Sequence, residues 1–298
     1  MPPVARIPLR IGLIGGTGLG DALGAEAAES RQVETPFGPP SSALRLMSWD
    51  GVEVVLLQRH GPGHVHPPSR VPYRANIYAL KSLGVTHIVA SGATGSLREH
   101  IHPGELVVAD QVIDKTQGRA ATFYDDVAVH VEMAEPFCPL TRGWLLAAAA
   151  RLPHLTVHPT GTYVCMEGPA FSTRAESLMH RAWGADLVGM TCMPEAKLAR
   201  EAEIAYALVA LPTDYDCWRP HDSGADEQEL LQQILGNLER ATQRSIELIK
   251  AALSDISSLA SGPSPAHEAL RLAIWSQKDA IAPQKIEKLR VLWGRYFE

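Results

Sequence analysis

The chain has 298 residues, 46% of them hydrophobic and 20% charged, a composition typical of a globular protein and unlike that of a disordered or fibrous one. The formal net charge of -6 argues against a nucleic-acid partner, because nucleic-acid-binding proteins usually present a basic face. A substrate anion would therefore have to be held by a local site.

Cysteine usage and hydropathy indicate the compartment. The four cysteines, at positions 138, 165, 192 and 217, form no CxxC pair, so the sequence predicts neither a zinc site nor a disulfide framework. The N-terminal segment has no apolar run long enough for a signal peptide, and no later segment approaches the roughly 18 apolar residues of a membrane helix. We therefore expect a cytoplasmic protein with no membrane partner.

Short apolar, β-branched runs predict buried strands, and helix-like stretches lie between many of them. The predicted strands are 11–14, 52–57, 87–90, 105–113, 162–166, 186–190 and 205–211. The predicted helices between them are 73–84, 140–151, 172–182 and 194–203. Such an alternation predicts an α/β fold with a mixed, mostly parallel central sheet flanked by helices.

The last part of the chain differs in composition. Apolar residues at helical spacing predict a long amphipathic helix over 226–256. Residues 254–265 are rich in Ser, Gly and Pro and indicate a linker, after which one or two further helices contain Trp275 and Trp293. We expect a catalytic domain at 1–255 and a linker with a helical C-terminal extension at 256–298.

Two glycine-rich loops and one arginine follow predicted strands. Gly15–Gly20 lacks the dinucleotide fingerprint, because Asp21 stands at its last glycine, and it lacks the Gly-Lys pair of a Walker A loop. The second loop is Ser91–Ser96, and Arg59 follows the 52–57 strand. Carboxyl ends of parallel strands meet at one edge of a sheet, so these segments predict an oxyanion site there. The alternatives are a tight turn for the first loop and a surface ion pair for Arg59.

Two carboxylates follow the 205–211 strand. Asp214 and Asp216 are two positions apart in an extended segment, so both side chains point to the same side and can face one ligand. The alternatives are a solvated acidic loop or a metal site. A metal is disfavoured, because His221 is the only candidate that could supply a further ligand.

Taken together, these motifs resemble those of the 5′-methylthioadenosine phosphorylases, the trimeric branch of the purine nucleoside phosphorylase family. The resemblance covers roughly residues 10–255. It rests on eight separated blocks in the right order: IGLIGGTGL at 11–19, RHG at 59–61, YRANIYALK at 73–81, GSLRE at 95–99, MAEPFCP at 133–139, EGPAFSTRAES at 167–177, GMTCMPEAKLARE at 189–201 and TDYDCW at 213–218.

The resemblance implies a role for each matching residue. It implies a phosphate site made of Thr17, Arg59, His60, the amide of Ala93 and Thr191. It implies a nucleoside site made of His64, Phe171 against the purine, Met190 beside the ribose, Leu230 at the 5′ end, and His130 donated by a neighbouring subunit of a homotrimer. It assigns the adenine edge to Asp214 and Asp216.

Three positions depart from the family pattern. Gly92 stands where the family usually has threonine, Gly189 where it has asparagine, and Glu227 where an apolar residue lines the 5′ pocket. These departures bear on the choice of 5′ substituent.

The implied reaction is phosphorolysis of 5′-methylthioadenosine to adenine and 5-methylthioribose 1-phosphate, a step of purine and methionine salvage. Phosphate is the co-substrate, and neither a metal nor an organic cofactor is expected. Asp214 is expected to donate a proton to purine nitrogen 7, because partial burial and the neighbouring Asp216 both raise a carboxyl pKa. The alternatives are a 6-oxopurine phosphorylase, in which asparagine replaces the first aspartate, and, more distantly, an NAD-dependent oxidoreductase or a non-catalytic binding protein.

Overall fold

The computed structural model describes residues 9–16, 28–49, 51–219, 227–259 and 262–298. Eleven strands in these ranges form one sheet: β1 Ile11–Gly15, β2 Glu29–Arg31, β3 Leu44–Trp49, β4 Val52–Gln58, β5 His87–Ser96, β6 Leu106–Val108, β7 Gln111–Lys115, β8 Val157–His158, β9 Thr162–Met166, β10 Leu187–Gly189 and β11 Ala205–Asp214. The helices are α1 Tyr73–Ser82, α2 Pro139–Ala149, α3 Arg174–Ala182, α4 Cys192–Glu201, α5 Glu227–Leu253, α6 Ile256–Leu259, α7 Pro283–Lys288 and α8 Arg290–Trp293. Among them we find none with the length and apolar character needed to cross a bilayer.

The sheet is mixed and mostly parallel, as predicted. Its main path runs β2-β3-β4-β1-β5-β10-β9-β7, and β11 lies beside β5 and leads to β6 and β8. Six of the ten strand pairings are parallel, including those of β1 with β4 and β5 and that of β5 with β11. The carboxyl ends of these four parallel strands therefore meet at one edge, which is where α/β sheets bind ligands.

Strand β5 is longer than predicted. The segment Ser91–Ser96, expected to be a glycine-rich loop, continues the strand, because β11 pairs with it as far as Gly95 and β10 pairs with its last two residues. A Cβ on Gly95 would stand 3.0 Å from the Cβ of Asp216, so glycine at this position permits the close approach of the acidic segment. The expectation of a loop was wrong, but the glycines still lie at the ligand edge.

The predicted strand 105–113 is two strands. Leu106–Val108 pairs with β11 and β8, whereas Gln111–Lys115 pairs with β9, and the chain changes neighbours between them. Strands β2 and β3 were not predicted. Strand β2 (Glu-Ser-Arg) is exposed throughout, so it has none of the apolar alternation on which such a prediction depends.

Helices cover both faces of the sheet, and each face has its own core. Alternate residues of β1 point to opposite sides: Ile14 packs in the core beneath α1 and α4, while Ile11 and Leu13 pack in the core beneath α2 and α5. All three side chains are fully buried. A strand buried on both faces is continuously apolar, which is why IGLI was recognisable in the sequence.

The C-terminal extension packs against the α1 face. Residues Leu270, Leu289, Leu292 and Trp293 are buried in the same core as α1. The expected linker at 254–265 contains the short helix α6, with Leu259 buried, and Trp275 lies outside the helices rather than within one. The division at residue 255 stays a prediction.

Candidate functional site

A cavity of about 450 Å³ opens at the edge where the parallel strands end. Segments that follow β4, β10 and β11 form its walls together with the last residues of β5 and parts of α5. The sequence-predicted residues that line it are Arg59, His60, His64, Ala93, Phe171, Met190, Thr191, Asp214 and Asp216. Thr17 and the loop that begins at Gly15 fall mostly outside the described residues, although Gly16 also lines the cavity.

Arg59 follows directly on β4 and is 1% exposed. Its Nε and Nη2 donate hydrogen bonds to Glu195 at 2.8 and 2.9 Å, and Nη1 donates to the carbonyl of Ser91 at 2.8 Å. A guanidinium has five N–H groups, so two remain for a ligand. Burial lowers the pKa of Arg59, but the charge and hydrogen bonds of Glu195 outweigh burial and raise the pKa above its usual value.

Glu195, which the sequence did not reveal as a site residue, orients this arginine. It lies on α4 with no exposed side-chain surface, and it also accepts a hydrogen bond from the Tyr206 hydroxyl at 2.8 Å. Three donors thus hold its carboxylate in one position. The guanidinium consequently has a fixed orientation in the cavity before any ligand binds.

His60 is held by its own loop. Its Nδ1 lies 2.8 Å from the carbonyl oxygen of His66, and the amide of His66 donates back to the carbonyl of His60 at 3.0 Å. The ring stacks on that of His64, with centroids 4.2 Å apart. Burial lowers the pKa of His60 to about 4, and the charge of Arg59 adds to this effect against the opposing hydrogen bond to His66. The ring is therefore neutral near pH 7.

The space available for a side chain differs between positions 92 and 189. A Cβ on Gly92 would stand 3.4 Å from Thr191 Oγ1 and 3.7 Å from Arg59 Nη1, which are ordinary contacts. A Cβ on Gly189 would lie 2.0 Å from the hydroxyl oxygen of Tyr163, so only glycine fits there. The Tyr163 hydroxyl thus occupies the space that a side chain at 189 would need.

The two aspartates line the cavity beside Gly95, three residues farther along β5 than Gly92, which neighbours Arg59. Asp214 accepts hydrogen bonds from the Thr213 hydroxyl at 2.6 Å and from the Asp216 amide at 2.7 Å. Asp216 has a left-handed backbone, with φ of 51°, and its buried Oδ2 has no hydrogen-bond partner among the described residues. Burial and the charge of Asp214 raise the pKa of Asp216, opposed by the effect of the nearby Ser177 hydroxyl. The surroundings of Asp216 therefore favour its protonated form.

Phe171 and Met190 line the cavity, and a buried arginine behind them supports the segments that carry them. Phe171 is 85% exposed, so its ring is free to cover a ligand. Arg119, whose side chain is 2% exposed, donates to the carbonyl of Met190 at 2.7 Å and to the carboxylate of Glu167 at 2.9 Å. It thereby ties together the two segments that carry Met190 and Phe171.

Two predicted site residues do not line the cavity of the single chain. Helix α5 reaches it with Leu238 and Thr242, whereas Leu230 lies eight positions earlier, about 12 Å along a helix axis. His130 is exposed and its ring packs on Trp275, with centroids 4.7 Å apart. Their assignments stay predictions, and that of His130 involves a neighbouring subunit.

Several lining residues were not recognised from the sequence. The Thr94 hydroxyl is buried, borders the cavity and has no hydrogen-bond partner within the described ranges. Leu238 and Thr242 lie within a long amphipathic helix, where nothing in the pattern separates site residues from core residues. No cluster of His, Cys, Asp and Glu suited to a metal ion occurs in the part of the chain that the structure describes.

The sequence is similar to those of known phosphorylases. Residues 10–254 match the model of the phosphorylase superfamily. The chain is 46% identical over 292 residues to S-methyl-5′-thioadenosine phosphorylase of Thermosynechococcus vestitus, covering 96% of this chain and 99% of that one. It is also 46% identical over 288 residues to the protein of the same name from Geobacter sulfurreducens, covering 96% and 98%.

Solved structures show the same relationship. The crystal structure of a methylthioadenosine phosphorylase from an antarctic soil metagenomic library is 44% identical, superposes with a TM-score of 0.86, and is matched over 96% of this chain and 99% of its own. The Schistosoma mansoni methylthioadenosine phosphorylase in complex with adenine is 37% identical, with a TM-score of 0.81, over 90% of this chain and all of its own. The chain therefore belongs to the methylthioadenosine phosphorylases of the phosphorylase superfamily.

Proposed function

We propose that the chain catalyses the phosphorolysis of 5′-methylthioadenosine to adenine and 5-methylthioribose 1-phosphate, a step of purine and methionine salvage. The observation that carries this proposal is the layout of one cavity. A buried arginine with two N–H groups that bond to no described residue lies beside Gly92 of β5, and a pair of carboxyls lies beside Gly95, about 10 Å farther along the strand, so they border two different ends of the cavity. Cleavage of a ribosidic bond needs an anion beneath the sugar and a proton donor at the base, and these two ends supply them.

At the phosphate end, we assign anion binding to Arg59, His60, the amide of Ala93 and Thr191, with Thr17 as a further donor outside the described residues. Arg59 supplies the fixed charge and a planar pair of donors that matches two phosphate oxygens. Bound phosphate stabilises the positive charge that develops on the ribose and attacks the anomeric carbon. Because the guanidinium is already oriented by Glu195, little reorganisation accompanies the reaction.

At the base end, we assign proton transfer to the carboxyl pair. Asp214 and Asp216 both lie close to the same point on β5: Asp214 Oδ1 is 3.3 Å and the Cβ of Asp216 is 3.0 Å from the position of a Cβ on Gly95. In our proposal the pair carries one proton, which Asp214 delivers to nitrogen 7 while Asp216 accepts a hydrogen bond from the exocyclic amine.

Between these ends, we assign the nucleoside to the apolar part of the cavity. Phe171 covers the purine, Met190 lies beside the ribose, and His64 and Leu230 belong to the sugar end. The exposure of Phe171 supports this role, because an aromatic side chain that is 85% exposed gains from packing against a flat base.

We further propose a homotrimer in which His130 reaches the site of a neighbouring subunit. Exposure of His130 and of the adjacent Trp275, 70% exposed, supports a contact surface at this position. Light scattering should give a particle of three chain masses. A stable and fully active monomer would contradict the proposal.

No organic cofactor or metal enters the proposed reaction, because phosphate is the nucleophile and a carboxyl is the acid. We also propose that the enzyme works in the cytoplasm. The four cysteines, all among the described residues, are free thiols, which supports a reducing compartment.

A substrate panel tests the proposed function. Methylthioadenosine, adenosine, methylthioinosine and inosine are each incubated with the protein, with and without phosphate, and the free base is followed. We expect fast, phosphate-dependent release of adenine from methylthioadenosine. Faster release of hypoxanthine from the two 6-oxopurine nucleosides would assign the chain to the alternative specificity.

A further inference from the structure

The loop after β4 fixes the tautomer of one histidine in the cavity. A carbonyl oxygen can only accept a hydrogen bond, so the contact of 2.8 Å between His60 Nδ1 and the carbonyl of His66 places the proton on Nδ1. The amide of His66 in turn donates a hydrogen bond to the carbonyl of His60, so two hydrogen bonds join the ends of this loop. Gly61 makes the close turn possible, since its φ is 72° and an added Cβ would lie 2.7 Å from the Ser41 carbonyl oxygen.

With Nδ1 committed, His60 can meet a ligand in the cavity only through Nε2. In the neutral ring this nitrogen carries a lone pair and no proton, so it accepts hydrogen bonds and cannot donate one. Among the described residues no group donates to it. A bare anionic oxygen placed against this nitrogen would bring two lone pairs together, which is repulsive.

Burial, more than the surrounding charges, keeps the ring neutral before a ligand binds. The charged and titratable groups that face it are Arg59 and His64, which lower its pKa, and Glu195, which raises it; burial is the largest effect and brings the pKa to about 4. Arg59 and Glu195 also form a buried ion pair with each other. The neutral ring of His60 therefore adds no positive charge to that of Arg59 when a dianion arrives.

We propose that His60 recognises the proton of the bound anion, because its Nε2 accepts a hydrogen bond from the single O–H of hydrogen phosphate. The site thereby selects phosphate against anions that carry no proton. The inference rests on the proposed phosphate site. Hydrogen phosphate and sulfate have the same charge and nearly the same shape at neutral pH, but only phosphate brings a proton. Sulfate can bind well only if the imidazole first takes one proton from solvent, forming an imidazolium that donates to a sulfate oxygen.

Competition between the two anions provides the first test. The inhibition constant of sodium sulfate against phosphate is measured with methylthioadenosine as substrate between pH 6 and 8.5. Above the pKa of His60, binding that requires one added proton weakens about tenfold per pH unit. We expect that slope for sulfate, whereas the KM for phosphate, counted as the dianion, should change much less. A sulfate constant independent of pH would overturn the proposal.

Calorimetry provides a second test that needs neither a variant nor turnover. Sulfate is titrated into the protein in buffers with different ionisation enthalpies, which gives the number of protons bound. We expect close to one proton taken up per sulfate at pH 7.5 and close to none per phosphate dianion. Equal proton counts for the two anions would contradict the proposal.

The His60→Gln variant tests whether the pH dependence of sulfate binding comes from His60 or from the anion site in general. A glutamine amide can turn either its oxygen or its N–H to the anion, so the variant should bind sulfate with an inhibition constant that varies less than about twofold over the same pH range. The matched control is His154→Gln, an exposed histidine paired with Glu247, which should keep the wild-type slope.

The outcomes distinguish this inference from the proposed function. If the wild-type protein shows no phosphate-dependent cleavage of methylthioadenosine, the proposed function fails, and calorimetry alone then decides whether His60 discriminates between the anions. If cleavage is normal but His60→Gln keeps the wild-type sulfate slope, the proposed function stands and the role of His60 is refuted.

Discussion

Replacing Arg59 with methionine removes the guanidinium from the cavity and leaves Glu195 buried without its partner. The two consequences have different magnitudes. A hydrogen bond to a charged group contributes roughly 1.5–3 kcal/mol, so loss of even one of the two uncommitted donors should raise the phosphate KM roughly 10- to 150-fold. Removing one partner of a buried ion pair should also lower the free energy of unfolding by about 3–5 kcal/mol.

A double variant, Arg59→Met with Glu195→Gln, separates the two effects. It removes both charges, so it should recover most of the lost stability while the phosphate KM stays high. The assay is the KM for phosphate and for methylthioadenosine, together with the melting temperature, for each variant. Arg151→Met, which breaks an exposed pair with Asp255, is the control and should change stability by about 1 kcal/mol or less without affecting phosphate.

The reasoning would be refuted by either of two results. An unchanged phosphate KM in Arg59→Met would remove the arginine from the anion site. A double variant that regained phosphate affinity along with stability would show that Arg59 acts on the fold alone.

Three further substitutions test other parts of the structure. Asp214→Asn should lower kcat for methylthioadenosine roughly 10²- to 10⁴-fold, the usual contribution of a general acid, with a smaller effect on inosine; near-normal turnover would exclude Asp214 as the acid. Burial raises the pKa of Glu201 from 4.5 to about 7. The contribution of this carboxyl to the free energy of unfolding is therefore fully present below pH 4.5 and is lost as the pH rises through 7. Glu201→Gln keeps the acceptor for the Phe123 amide and should raise the free energy of unfolding at pH 8 by about 2–3 kcal/mol, with little change at pH 4.5; equal effects at both pH values would contradict this. Trp293→Ala, at a fully buried position of the C-terminal extension, should cost about 3–5 kcal/mol, whereas Trp183→Ala, at a position 49% exposed, should cost about 1 kcal/mol or less; similar melting temperatures would show that the extension is dispensable for stability.

The strands that carry the site were predictable where burial on both faces left a simple pattern. IGLI and VEVVLL became β1 and β4, and Arg59 follows the second of these strands as expected. The end of β5 was not predictable in the same way. Its Gly-Ala-Thr-Gly sequence is typical of a loop, and it is extended because two neighbouring strands, distant in sequence, supply its hydrogen bonds.

Most of the predicted site residues line one cavity, whereas the residues that support them were not predictable from the sequence. Glu195 is one of several charged residues in a helical segment, where a solvent-exposed position is usual, and its partner Arg59 is 136 residues away. Only the folded chain shows that α4 and β4 bring them together. The unequal surroundings of Asp214 and Asp216 are likewise tertiary, because they depend on Thr213, Ser177 and Gly95.

The central claim is that one cavity couples phosphate to cleavage of an adenine nucleoside. The most direct measurement follows methylthioadenosine with the purified protein and limiting phosphate, with adenine quantified by absorbance and the sugar product by phosphorus NMR. We predict one adenine released and one sugar 1-phosphate formed for each phosphate consumed, and no release without phosphate. Adenine release that continues without phosphate, with free methylthioribose as the product, would contradict the account.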